Sequence, residues 1–247
     1  HTPRRRQRQM CIRDRNNMGL IHSPRIVTDG LVLALDAANV KSYGGSGTTW
    51  TDLSTEGNNV TINGATYNSG SPSYFEFDGT NDYLDAGSAL SDSYWQANWT
   101  ASLWVYLDSL NTSGGSSMGH VFFHHGSQST YSGLHLIQRQ SKYHFGLFFA
   151  DMGSTSTPST TTWVNLVYTL NNTTKLGQIY INGSLDNSST LSSSYNGSGS
   201  NCRIGGKTWG SHSDGWLDGR IGNVLCYDTV LTLSLIHISE PTRRYRI

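Results

Sequence analysis

The stretch Phe75-Glu76-Phe77-Asp78-Gly79-Thr80-Asn81-Asp82-Tyr83-Leu84 reads as a strand, a tight acidic loop and a second strand. Phe75 and Phe77 share one face, because side chains alternate along a strand. Asp78-Gly79 and then Asn81-Asp82 break the strand, since Asp, Asn and Gly supply the side-chain bonds and backbone angles that turns need. The same loop gathers carboxylate and amide oxygens, the donors that a hard cation takes. It is therefore both a core-building hairpin and a candidate cation loop.

Alternation of this kind recurs on either side of the hairpin. The interior is rich in Ser, Thr, Asn and Gly, helical periodicity is absent, and short alternating segments are separated by turn residues. That pattern predicts a β-sandwich or barrel. Strands are expected at 31–37, 58–64, 73–78, 82–86, 99–108, 119–125, 132–139, 142–150, 162–171, 176–182, 201–205 and 216–227. Within 99–108, Leu103, Val105 and Leu107 share one face while Trp104 and Tyr106 share the other, as in a central strand. Asn182-Gly183 after Ile179-Tyr180-Ile181 marks a type I′ hairpin, which requires positive φ at both central residues. Residues 187–200 read as a flexible polar loop.

The two ends differ from this interior. Residues 1–15 carry Arg4, Arg5, Arg6, Arg8, Arg13 and Arg15, and residues 233–247 carry Arg243, Arg244 and Arg246. Met10-Cys11-Ile12-Arg13-Asp14-Arg15 matches a translated transposase-type sequencing adapter, and Leu233 to Arg243 matches the translation of its complementary strand. Residues 1–15 and 233–247 are accordingly set apart as adapter-derived, with 16–28 as a lead-in and 29–232 as the domain. The whole chain has 17 basic and 17 acidic residues; without those ends, eight Lys and Arg face fifteen Asp and Glu, a net charge of −7. An acidic domain is a poor partner for nucleic acid. No apolar run is long enough to span a membrane and no signal peptide is evident. Cys202 and Cys226 are expected as buried free thiols rather than a disulfide.

Several blocks together resemble the concanavalin A-like lectin/glucanase superfamily in its LamG-like form: DGLVLALDAAN (29–39), TTWTDLS (48–54), FEFDGTNDYLD (75–85), WTASLWVYLDS (99–109), WVNLVYTL (163–170), LGQIYINGSL (176–185) and DGRIGNVLCYDTVLT (218–232). The opening, from Met18 to Asn39, is similar to LamG-like structural proteins of marine tailed phages. The resemblance implies an all-β, antiparallel two-sheet jelly-roll sandwich. It further implies a virion protein, with host-surface glycan or other virion proteins as partners. It does not fix a function, because the superfamily holds lectins, glycosidases and structural domains.

Candidate sites follow from residue chemistry. Glycosidases of the superfamily place two Glu on one strand to flank the scissile bond; here Glu56 and Glu76 lie in different segments, so a non-catalytic role is expected. For calcium, Asp78, Asn81 and Asp82 offer loop oxygens, and the resemblance adds Asp218 and Asn223 from the closing strand; Asp78 can instead bond its own loop amides. His120, His124, His125, His135 and His144 fall on three neighbouring strands, where a transition-metal site competes with ordinary hydrogen-bonded histidines. For sugar, rings stack on sugar faces while polar neighbours bond hydroxyls. Trp209 lies in a Gly-rich loop beside His212 and Asp214, and Trp95 and Tyr131 are further loop aromatics. Trp50, Trp104, Trp163 and Trp216 are expected in the core.

Overall fold

The computed structural model describes residues 26–87, 89–113, 117–199, 202–209 and 214–239. In chain order the strands are β1 Leu31–Asp36, β2 Thr49–Trp50, β3 Val60–Asn63, β4 Thr66–Asn68, β5 Tyr74–Asp78, β6 Tyr83–Asp85, β7 Trp99–Leu107 and β8 His120–Gly126. They continue as β9 Gly133–Arg139, β10 Lys142–Leu147, β11 Asp151–Gly153, β12 Trp163–Asn171, β13 Leu176–Ile181, β14 Ser184–Thr190, β15 Arg203–Ile204 and β16 Asp218–Tyr227. Two short helices join them, α1 Asp92–Trp95 and α2 Leu233–Ser239.

All pairings are antiparallel and build two sheets. One runs β14-β13-β12-β7-β16-β5-β4, with β1 also on β16; the other runs β11-β10-β9-β8-β15-β6-β3-β2. This is the concanavalin A-like jelly-roll sandwich. Alternation explains how the sheets meet. Along β7, Trp99, Ala101, Leu103, Val105 and Leu107 are fully buried between the sheets, while Trp104 and Tyr106 turn outward and are half-buried. Phe75 and Phe77 of β5 enter the same core, where Phe75 packs on Trp50 and Tyr43 with ring centroids 4.5 and 4.9 Å apart. Each such side chain contributes about 1.5–3 kcal/mol through removal from water. A smaller cluster (Leu31, Ala34, Val167, Leu225, Leu231) covers part of the outer face of the first sheet, and α2 adds Ile236 to it.

Asn182 and Gly183 take φ of 49° and 75° and close the β13–β14 hairpin as expected. Three sequence expectations need correction. Residues 187–190, expected in the polar loop 187–200, belong instead to the edge strand β14; it pairs with β13 and buries no face, so nothing forces apolar alternation on it. The segment 142–150 ends as a strand at Leu147 and turns at Phe148-Phe149 before β11. Of the four tryptophans assigned to the core, Trp50 is there, whereas Trp104, Trp163 and Trp216 are half-buried on outer faces. Cys202 and Cys226 are buried free thiols. Among the described residues no helix is long and apolar enough to cross a membrane.

Candidate functional site

The outer face of the β8-bearing sheet carries a row of residues in direct register: Thr61 of β3, Asp85 of β6, Arg203 of β15, His124 of β8 and His135 of β9. Gly146 of β10 and Asp151 of β11 continue it. At about 4.8 Å per strand the row is about 29 Å long. Beside its first end lies an open cleft of ≈ 430 Å³ lined by Asn58, Asn59, Thr61, Asp85 and neighbouring glycines.

At the other end, aromatic rings gather. Leu147 N donates to Ala150 O, so Phe148 and Phe149 are the two central residues of the β10–β11 turn. Their φ angles are 39° and 73°, the left-handed region. L-residues pay about 1–2 kcal/mol there, and such turns normally take Asn-Gly. Phe149 is nevertheless 76% exposed. Its ring meets Phe148 edge-on at 4.7 Å, Phe148 meets Trp209 edge-on at 5.5 Å, and Trp209 lies 4.4 Å from the imidazole of His124. Trp209 fits because Gly133 lies beneath it; a Cβ there would come within 2.5 Å of the indole.

The histidines underneath are hydrogen-bonded. Thr208 N donates to His124 Nδ1 at 2.8 Å, which places the proton of the neutral ring on Nε2. Burial first, and then His135, His125, Arg203 and Lys207, holds His124 well below the usual histidine range. His135 faces an acceptor with each nitrogen, Gly133 O and Asp151 Oδ2, both at 3.1 Å. Arg139 also donates to Asp151 Oδ2, at 3.0 Å. Burial raises the Asp151 carboxyl, but His135 and Arg139 outweigh it and leave the group below its ordinary value. His125 turns inward to Tyr195 Oη at 2.7 Å and Asp92 Oδ1 at 3.1 Å. His120 sits by Ser109 and Asp218. Among the described residues, no group of three His, Cys, Asp or Glu could hold a metal ion.

The cation loop is tied to itself. Asp78 Oδ1 accepts from Thr80 N at 2.8 Å and Asn81 N at 3.2 Å, while Asp82 Oδ2 accepts from Asp78 N at 3.1 Å. Slight burial raises Asp78, but these amides outweigh it and hold the carboxyl below its ordinary value. Burial, with Asp78's charge, pushes Asp82 up. Asp218 is directly across from Asp78, yet its Oδ2 accepts from Ser109 Oγ at 2.5 Å. Asn223 is five residues further along β16, about 16 Å by strand rise, and its oxygen accepts from Trp104 N at 3.2 Å. One oxygen each of Asp78, Asp82 and Asp218 and the side-chain oxygen of Asn223 thus accept from protein donors, which build these residues into the turn and the sheet.

The remaining sequence candidates separate. Trp209 is at the aromatic cluster. Tyr131 is half-buried nearby, its N donating to Phe148 O at 3.0 Å. Asp214 holds the loop down, its Oδ2 accepting from Gly119 N at 3.0 Å and from Ser117 Oγ. Trp95 is a correction: it is fully buried on α1 against Trp99 and Phe123, and no ligand reaches its faces. His212 lies outside the described residues. Phe148, Phe149 and Arg203 were missed. Phe is not a turn residue, so an unbroken apolar run concealed the bend, and only the backbone angles reveal it.

Known proteins can be compared with this geometry. Domain 4 of AbnA, an extracellular GH43 arabinanase from Geobacillus stearothermophilus solved with arabinotriose, superposes with a TM-score of 0.62 at 16% identity, over 87% of this chain and 100% of that one. Trypanosoma rangeli sialidase superposes at 0.59 and 16% identity, but this chain spans 33% of it. The receptor-binding domain of botulinum neurotoxin C/D mosaic serotype gives 0.60 and 16%, over 86% of this chain and 51% of that one. No curated protein sequence matches the chain. The laminin-G-type family model matches residues 78–237, well over half of the sequence. The chain therefore belongs to the concanavalin A-like lectin/glucanases superfamily.

Proposed function

We propose that this domain is a non-catalytic carbohydrate-binding module of a phage virion, which contacts host-surface glycan through Phe149, Phe148 and Trp209. The observation that carries the reading is the turn itself. Two phenylalanines occupy left-handed positions, and the one in water gains little packing in return. Strain without a structural return points to use, and an exposed ring on a rigid hairpin is what a sugar face stacks on. The polar groups around it, Ser132 bonded to Asn196 and the Asp151 carboxylate, suit hydroxyls. That a domain of this fold has been solved with arabinotriose supports the reading.

Catalysis finds less support. Glu76 is on the outer face of the other sheet, 3.4 Å from Arg220, and Glu56 is on an exposed loop. A second reading, a decoration domain that binds protein, is favoured by a patch on that other face: Tyr106 and Tyr74 flank Arg220, and Trp163 lies 5.7 and 5.9 Å from the two rings. A glycan array probed with the wild type, Phe149→Asn and Trp209→Ala separates them. Hits that both variants lose support the sugar reading; a blank array, or hits indifferent to both variants, refutes it.

A further inference from the structure

The Trp209 ring is not fastened through its own polar atom: among the described residues its indole Nε1 has no partner. The ring is held by contact, 5.5 Å from Phe148, 4.4 Å from His124 and close above Gly133. The backbone leading to it is pinned at successive residues. Gly206 bridges to Trp216, Lys207 O accepts from Arg203 Nη1 at 2.7 Å, and Thr208 N donates to His124 Nδ1 at 2.8 Å. The last of these bonds, next to the indole, is one that a proton breaks.

A neutral imidazole accepts at one nitrogen and donates at the other. His124 Nδ1 is the acceptor, and it faces both the amide and the hydroxyl of Thr208, each at 2.8 Å. Protonation makes Nδ1 a donor. The hydroxyl can turn to accept from it, but the amide cannot, so two N–H groups would oppose each other and the amide would lose its acceptor. The pocket offers the cation little in return. His124 is fully buried, and its Nε2 has no partner among the described residues. Arg203 of β15 and His135 of β9 flank it in register, and Lys207 and, on its own strand, His125 also act against its charge. Asp151 of β11, beyond His135, is bonded to His135 and Arg139. The indole face attracts a cation, but that contact does not restore the amide bond.

We propose that His124 is a proton-operated latch on the Trp209 platform: neutral, it accepts the Thr208 amide and holds the indole over Gly133; protonated, it gives up that bond and releases the ring. This rests on the reading of the Phe149–Trp209 surface as a sugar site, and it makes binding there sensitive to mild acid. The latched ring titrates well below the usual histidine range, whereas a released, solvated ring titrates at about 6.5. The latch is therefore at full strength above about pH 6.5 and weakens as pH falls, by about tenfold per unit until the latched ring itself takes the proton. At pH 5 the balance has moved up to about thirtyfold toward release.

The test follows the tryptophan indole N–H resonances of the full ¹⁵N-labelled chain by NMR from pH 7.5 to 5, with Trp209 assigned by its loss in Trp209→Phe. The Trp209 signal should move with a midpoint below pH 6.5, in step with the His124 ring, while those of the core residues Trp50 and Trp95 stay in place. In His124→Asn, whose Oδ1 stands where Nδ1 stood and takes no proton, the Trp209 signal should be constant. On a glycan array read at pH 7.5 and 5, wild-type hits should fade at pH 5 by up to about thirtyfold and those of His124→Asn should persist. A wild-type Trp209 signal that does not change between pH 7.5 and 5, an equal change in His124→Asn, or wild-type hits as strong at pH 5 as at 7.5 would overturn the inference and leave the sugar reading intact. An array blank at both pH values removes the sugar reading and the latch's role in binding with it, and the Trp209 resonance still decides whether the latch exists. Should His124→Asn fail to fold, the wild type decides alone, since separate midpoints for His124 and Trp209 would overturn the coupling.

Discussion

Replacing Phe149 by Asn should cost the protein no stability while removing its binding. The ring is 76% exposed, so about a quarter of its area is covered. For a phenylalanine that is about 50 Å², or about 1 kcal/mol of lost burial, including the edge contact with Phe148. Against this, a bulky L-residue at φ 73° carries about 1–2 kcal/mol of left-handed strain, most of which Asn escapes. The balance lies between zero and about 1 kcal/mol in favour of the variant, a rise of at most about 4 °C for a domain of this size. Phe149→Ala is the decisive comparison. It loses the same ring but keeps most of the strain, so it should melt about 2–4 °C below the Asn variant. Thermal melts followed by circular dichroism read both, alongside the glycan array. Coincident melts for Asn and Ala would refute the claim that the turn is strained. An Asn variant well below wild type would show that the ring is there for packing.

Other perturbations have equally definite outcomes. Because burial lowers the folded-state pKa of His124, and likewise those of His120 and His144, the unfolded chain binds the extra protons. Stability is therefore present above the unfolded value of about 6.5 and lost as pH falls below it; the melting temperature should drop between about pH 7.5 and 5, and His124→Gln should flatten that slope. Gly146→Ala would place a Cβ 2.0 Å from His135 Nε2 and 2.5 Å from Asp151 Oδ1, a misfit of about 1–3 kcal/mol visible as a melt several degrees lower. Gly44→Ala, with nothing within 4 Å, should leave the melt unchanged. EDTA should not alter the melting temperature, since Asp78, Asp82 and Asp218 each have an oxygen bonded to a protein donor that holds the turn without a metal; a fall would show that the acidic loop holds calcium.

Much of the fold was legible because one buried face leaves a period of two in the sequence. Strand β7 announced both its faces, and Asn182-Gly183 announced its hairpin. What escaped had no such constraint: the edge strand β14 buries no face, and helix α1 is four residues long, too short to show a period.

By itself, then, the chain determined its class and its core hairpin Phe75–Leu84, since these depend on local alternation and turn chemistry. Only the tertiary structure decided where chemistry could gather. Register across seven strands brings Thr61 and Asp151 into one row, although ninety residues separate them. Backbone angles place Phe149 in water and side-chain packing removes Trp95 from it, and both residues look alike in sequence. The acidic loop shows the same division. Its composition offered cation ligands, and its folded hydrogen bonds give those oxygens to the loop's own amides.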